Sequence, residues 1–189
     1  IAIGSDAAGG GWFNGSIDDV RVYNRAISAL ESYMLFEMSR EGPIAHWEFD
    51  EGAGSIAYDS AGSNDGVIYG AQWTTGQVGE ALDFDGLDDC VVLPGNSPVW
   101  LPEYDFAYSL WAWFDAPASV SGQDTMLDLN CTSSSDPIND IGSVFKRVDS
   151  GKIGFYMVTI TGGEQALYSH DIFGEGEWRH LVALRDGGT

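Results

Sequence analysis

Turn-forming residues recur so often along this chain that long regular elements have little room between them. AGSNDG at 61–66, DFDGLDD at 83–89, VDSGK at 148–152, ITGGE at 160–164 and RDGGT at 185–189 carry the Gly, Asn, Asp and Ser of tight turns. Between them lie short runs rich in aromatic and β-branched residues, at 16–23, 45–49, 67–69, 81–84, 90–93, 108–114, 143–148, 154–161, 166–170 and 178–184. In the first run Val20 and Val22 fall on one face and Arg21 and Tyr23 on the other. Many short strands at this spacing predict an all-β, antiparallel two-sheet sandwich. At 189 residues the chain is long enough for one sizeable core.

One segment departs from the strand pattern. Ser28-Ala29-Leu30-Glu31 has the form of a capping box, and Leu30, Met34 and Met38 then recur at the spacing of one helical face. Gly42-Pro43 ends the pattern, since Gly accepts the left-handed cap and Pro cannot continue a helix. The spacing predicts one short helix over 28–40, roughly 20 Å long at 1.5 Å per residue.

Charge narrows the partners. Asp and Glu number 29 against 8 Lys and Arg, a net charge of −21. Such a chain repels phosphate backbones and anionic lipid surfaces, which sets it against nucleic-acid binding. No apolar run approaches the roughly 18–20 residues of a spanning helix, so no membrane insertion is expected. The opening at Ile1, without an initiator Met or a signal peptide, reads as a mature product or as a piece of something longer. Cys90 and Cys131 lack the CxxC clustering of zinc sites. A single disulfide between them is the preferred reading, beside two unpaired thiols; it would add about 2–4 kcal/mol through loop closure.

Two stretches carry a more specific signal. Residues 44–94 contain the WxFDEG start at 47–52, the DSxGxNDG turn at 59–66, the run GEALDFDG at 79–86 and the Asp88-Asp89 that follows. This segment resembles the opening half of the LamG-like jelly-roll domains of the concanavalin A-like lectin/glucanase superfamily. SLWAWF at 109–114 and EWRHLVALRDGG at 177–188 are similar to the middle strands of the family, and FNGSIDDVRVYNRAIS at 13–28 to its closing strand and short terminal helix. The resemblance covers nearly the whole chain and implies a concanavalin A-like jelly roll.

The order of the segments differs from that of the family, because the strand that closes the family domain here precedes the strand that opens it. Residues 1–43 then read as the closing strand and helix of one repeat, and residues 44–189 as a sandwich lacking its own closing strands. As the family would run, about 10–20 residues, a strand or two, are missing between Thr189 and Ile1. A 43-residue tail buries too little surface to fold alone, and a sandwich without its closing strand leaves open ladder edges. Each half needs a partner, supplied within the chain or by a neighbouring copy; head-to-tail exchange that does not close makes a filament.

The acidic turns are the first candidate site. Calcium takes six to eight oxygens from carboxylates, Asn side chains and loop carbonyls. The family often holds a structural calcium between such loops, and the expected ligands come from Asp18, Asp50, Asp59 and Asn64, with Asp88-Asp89 as a weaker second place. The competing reading makes these residues turn-formers bonded to their own backbone. For glycans the candidates are Trp12, Trp73, Trp100 and Tyr104, in Gly- or Pro-flanked turns; the alternative is that they cap the ends of the sandwich. Trp47, Trp111, Trp113 and Trp178 are expected to fill the core. His46, His170 and His180 have no GxSxG or comparable nucleophile motif beside them and read as structural.

A glucanase would need two carboxylates about 5–5.5 Å apart, from a Glu-x-Asp-x-Glu strand. The nearest match runs from Glu103 through Asp105 to Ala107, losing one carboxylate, so no enzyme is expected. The function expected is a non-catalytic extracellular or cell-surface adhesion or structural module. It would be a repeat of a larger surface or filament-forming protein, assembled by strand completion with copies of itself or with adjacent LamG-like repeats. A calcium-assisted carbohydrate-binding module is the alternative, and a glycoside-cleaving enzyme a distant third.

Overall fold

The computed structural model describes residues 2–6, 11–24, 26–27, 42–94, 106–115, 124–128, 142–148, 150–158 and 164–185. Among the described residues fourteen strands are formed and pair antiparallel: β1 (Ala2–Ile3), β2 (Asn14–Tyr23), β3 (Ala45–Trp47), β4 (Ile56–Ala57), β5 (Gly66–Tyr69), β6 (Gln72–Thr75), β7 (Glu80–Asp85), β8 (Cys90–Val92), β9 (Phe106–Phe114), β10 (Asp124–Asp128), β11 (Gly142–Arg147), β12 (Lys152–Val158), β13 (Glu164–Ile172) and β14 (Trp178–Arg185). The helix expected over 28–40 lies outside the described residues, as do Trp100, Glu103, Tyr104 and Asp105. No helix long and apolar enough to cross a membrane occurs among the described residues.

The strands form two sheets packed face to face. One has eight strands in the order β13-β12-β11-β10-β1-β8-β5-β4. The other runs β14-β9-β2-β7-β6, with β3 pairing beside the second half of β2. The first residues of the chain therefore lie in the middle of both layers. β1 bridges β8 and β10, and β2 lies between β9 on one side and β7 and β3 on the other.

β9 shows how the core is made. Phe106, Tyr108, Leu110, Ala112 and Phe114 alternate inward and join one buried cluster. Phe13 meets Phe84 and Phe114 edge-on at 6.2 and 5.7 Å, and Phe106 reaches Phe155 of the opposite sheet at 5.9 Å. β10 is the least expected strand, because Asp124, Thr125 and Asp128 are all buried. Asp124 accepts from Nε and Nη2 of buried Arg147, both at 2.9 Å, and that guanidinium lies 4.2 Å above the Phe114 ring.

A bulge breaks the β2–β9 register between Asp18 and Arg21. Ile17 and Val20 both enter the core, so one extra residue is accommodated, and Asp19 takes a left-handed φ of 52°. The bulge brings two adjacent carboxylates to the centre of the six-stranded sheet.

Candidate functional site

The outer face of the six-stranded sheet collects the aromatic side chains that do not enter the core. In one cross-strand row Trp178 stands opposite Trp113, Trp113 opposite Ser16, and Ser16 opposite Asp83. In the next, His180 stands opposite Trp111, and Trp111 opposite Asp18. Trp113 and Trp178 meet edge-to-face at 6.0 Å, and Trp111 lies 5.0 Å from the His180 ring. All three indoles are half-buried and His180 is exposed. Polar groups line the same rows: Ser16 donates to Asp83 at 3.2 Å, Trp113 Nε1 to Asp115 at 2.8 Å, and Ser109 Oγ lies 2.9 Å from His180 Nε2. Desolvation raises the Asp83 pKa above the ordinary carboxylate range, opposed by the Ser16 hydrogen bond and reinforced by Asp115, Asp89 and Asp85. Desolvation of the imidazole lowers the His180 pKa despite the residue's overall exposure; Asp19 opposes that shift and Arg21 adds to it.

This placement corrects the expectation that Trp111, Trp113 and Trp178 fill the core. Trp47 does so, fully buried, with its indole N–H donated to the Asn64 carbonyl at 3.0 Å. The other three have the opposite parity. On β9 the core positions are taken by Leu110, Ala112 and Phe114, which leaves Trp111 and Trp113 facing out. One residue marks this in the sequence: Ser109, the polar member of β9, shares the parity of the tryptophans.

The four candidate metal ligands fall into two groups. Asp18 and Asp50 flank the turn from β6 to β7. Oδ2 of Asp18 accepts from Gln77 and Val78 N–H at 3.1 and 3.2 Å, and Oδ1 of Asp50 accepts from Glu80 N–H at 2.8 Å. Asp18 is completely buried, and its Oδ1 has no hydrogen-bond partner. Desolvation lifts its pKa to about 7, reinforced by the nearby Asp19 and Asp50 charges. A cation beside that oxygen would compensate the buried charge.

Asp59 and Asn64 serve their own loop. Asp59 accepts from the N–H groups of His46, Ala61, Gly62 and Asn64 and from the Asn64 side-chain amide at 2.7–3.1 Å. Burial works to raise its pKa, and these donors together bring it below the usual range. Asp88 and Asp89 join Asp85 in a group whose carboxylate oxygens lie within 4.8 Å of one another. Within it Asp89 accepts from Asp85 N–H at 2.9 Å, and Asp85 from Leu87 N–H at 2.8 Å, the bonding of a tight acidic turn.

The three histidines differ in their surroundings. His46 bonds Asp19 through Nε2, has Ser60 Oγ 3.3 Å from Nδ1, and Asp19 also pairs with Arg21 at 2.9 Å. This is a Ser-His-Asp set by composition. Arg21 already balances Asp19, and Ser60 Oγ lies 3.2 Å from the His46 carbonyl as well, so the group clasps the 59–65 loop to β3. Burial would raise the Asp19 pKa, but the His46 and Arg21 contacts bring it below the ordinary value. His170 is exposed beside Asp171.

Of the loop aromatics, Trp12 is half-buried and bridges to Thr125, while Trp73 packs on the core from β6 and donates its N–H to Gly54 at 3.1 Å. Cys90 is half-buried on β8 with its thiol beside Ser5; Cys131, its expected disulfide partner, lies outside the described residues. The chain matches no protein family, curated protein or solved structure with which it was compared.

Proposed function

We propose that this chain is a non-catalytic adhesion module of the LamG-like kind, a jelly-roll sandwich that works outside the cell as a repeat of a larger surface or filament-forming protein. It adheres by holding glycan chains on the outer face of the six-stranded sheet. The observation that carries this reading is the half-exposed set of Trp111, Trp113, Trp178 and His180 on two adjacent rows, with Asp83, Ser16 and Ser109 beside them. Sugar rings offer flat C–H faces that stack on indoles and hydroxyls that bond carboxylates and Ser hydroxyls. Completion of the sandwich within one chain is supported by the central positions of β1 and β2.

The test is calorimetric titration with cello-, laminari-, xylo- and chitohexaose. Removing a central aromatic anchor costs about 2 kcal/mol or more, so Trp113→Ala is expected to weaken the bound glycan roughly 30-fold. Trp73→Ala, on the edge strand β6, is expected to leave it unchanged. Binding that survives the loss of both Trp113 and Trp178 in a folded variant would place the ligand elsewhere.

A calcium-assisted version is favoured by the orphaned Oδ1 of Asp18. Asp18 and Asp50 would hold the ion, which would supply the positive charge that lets Asp18 ionise at neutral pH. Calcium would then raise the melting temperature of the wild-type chain at pH 8 and leave that of Asp18→Asn unchanged.

A further inference from the structure

The two sheets end unevenly at one side. Among the described residues β14 closes the six-stranded sheet and β13 the eight-stranded one, each paired on one side only. Leu167 of β13 stands directly opposite Phe155 of β12, so both face the core side of their sheet. Phe155 is buried there, whereas Leu167 is 67% exposed. The overhang leaves an apolar cavity of about 360 Å³, lined among others by Phe145, Phe155, Leu167, Phe173 and Leu181 and open to solvent. Leu184, at 42% exposed, continues the apolar surface along β14.

Natural edge strands are usually blunted by charge, proline or a bulge. β14 has none of these from His180 to Leu184, and its register with β9 is unbroken from Trp178 to Arg185. Charge singles out the same side. Residues 41–145 contain eighteen Asp and Glu and no Lys or Arg, whereas residues 142–185 hold five of each sign. This stretch of a strongly acidic chain carries no net charge, with Lys152 and Arg179 set against Asp171 and Glu177. Two copies can approach here without like-charge repulsion, and their acidic bodies then lie as far apart as the contact allows.

We infer that the β13–β14 edge is the docking surface for a second copy of this chain. The uneven ends are self-complementary under a two-fold axis running along the strands, which lays β13 of each copy beside β14 of the other and covers Leu167 in both. This rests on the proposal that the module is complete within one chain. It does not depend on glycan recognition, since the tryptophan rows remain intact when the edge is altered.

Sedimentation of the full chain across a concentration series tests it, beside Leu167→Lys and Leu184→Lys, both at exposed positions that tolerate charge in the monomer. The wild type is expected to pass from 20.4 kDa to twice that mass, and each variant to weaken the dimer at least tenfold with unchanged circular dichroism. Hydrogen exchange should show protection of β14 that rises with concentration. A wild-type chain still monomeric at about 1 mM, where even a weak transient pair is populated, overturns the inference. So does assembly that survives both variants with new protection in β1 or β2, which would indicate strand exchange instead and count against completion within one chain.

Discussion

Replacing Asp18 by Asn tests the most unusual group in the sandwich. In the folded chain this carboxyl is completely buried, keeps two backbone donors on Oδ2, and leaves Oδ1 unpartnered. Its pKa stands near 7 against 3.8 when unfolded. Between those values the folded state holds a proton that the unfolded state has released, so stability falls as pH rises and the loss is complete above about 7. A rise from 3.8 to about 7 corresponds to on the order of 4 kcal/mol. Asn imitates the protonated form: its carbonyl keeps the bonds to Gln77 and Val78, and nothing ionises. Urea denaturation of both proteins in EDTA from pH 4 to 8.5 gives a difference curve in which other titrating groups cancel. Variant minus wild type should already be climbing at pH 4, approach about 1.4 kcal/mol for each pH unit from pH 5 to 6, and level off above pH 7. A difference that stays constant across this range would refute the burial argument, whatever its offset. Repetition with calcium should flatten the climb if the ion sits at Asp18 and Asp50.

The Arg147–Asp124 pair gives a second test: Arg147→Met alone should cost about 3–5 kcal/mol by stranding a buried carboxylate, and adding Asp124→Leu should recover most of it in thermal melts. Gly15 sits at φ +144° with room for no Cβ, which would meet the Trp113 carbonyl at 2.1 Å; Gly15→Ala should therefore destabilise by several kcal/mol. Gly54→Ala, at φ +96° in open space, should cost only about 1–2 kcal/mol of backbone strain. Asp59→Ala should lose about 2–4 kcal/mol at pH 7, since five donors are left without their acceptor. The folded pKa of Asp59 is depressed, so its contribution is present above 3.8 and fades as pH falls below that, and wild type and variant should converge in acid.

Several strands are legible directly, such as those read at 67–69, 81–84 and 178–184, and so are turns between them. β1 and β4 escape a reading of the sequence because two residues carry no period, and β6 because Gln72-Trp73-Thr74-Thr75 holds a single strongly apolar side chain. β10 escapes it because DTMLD is mostly polar, and its burial depends on Arg147, twenty-three residues from Asp124 in the chain. The candidate site divides in the same way. Asp18, Asp50, Asp59 and Asn64 stand out in sequence as acidic or amide residues of turns and strand ends, yet what separates Asp18 from Asp59 is the number of donors around each. In sequence the two look alike. The three outward tryptophans read as core because a large aromatic in a strand favours burial when nothing else decides.

The sequence by itself determined that this chain would be all-β, acidic and rich in tight turns, because turn chemistry and net charge are properties of residues and their nearest neighbours. Tertiary structure decided which face of β9 meets the opposite sheet, where β1 and β2 enter the two layers, and which carboxylate lost its solvent. A period of two defines two faces for every strand without saying which is inside. That choice belongs to the partner strands and to the bulge at Asp19, which are set by residues distant in the chain.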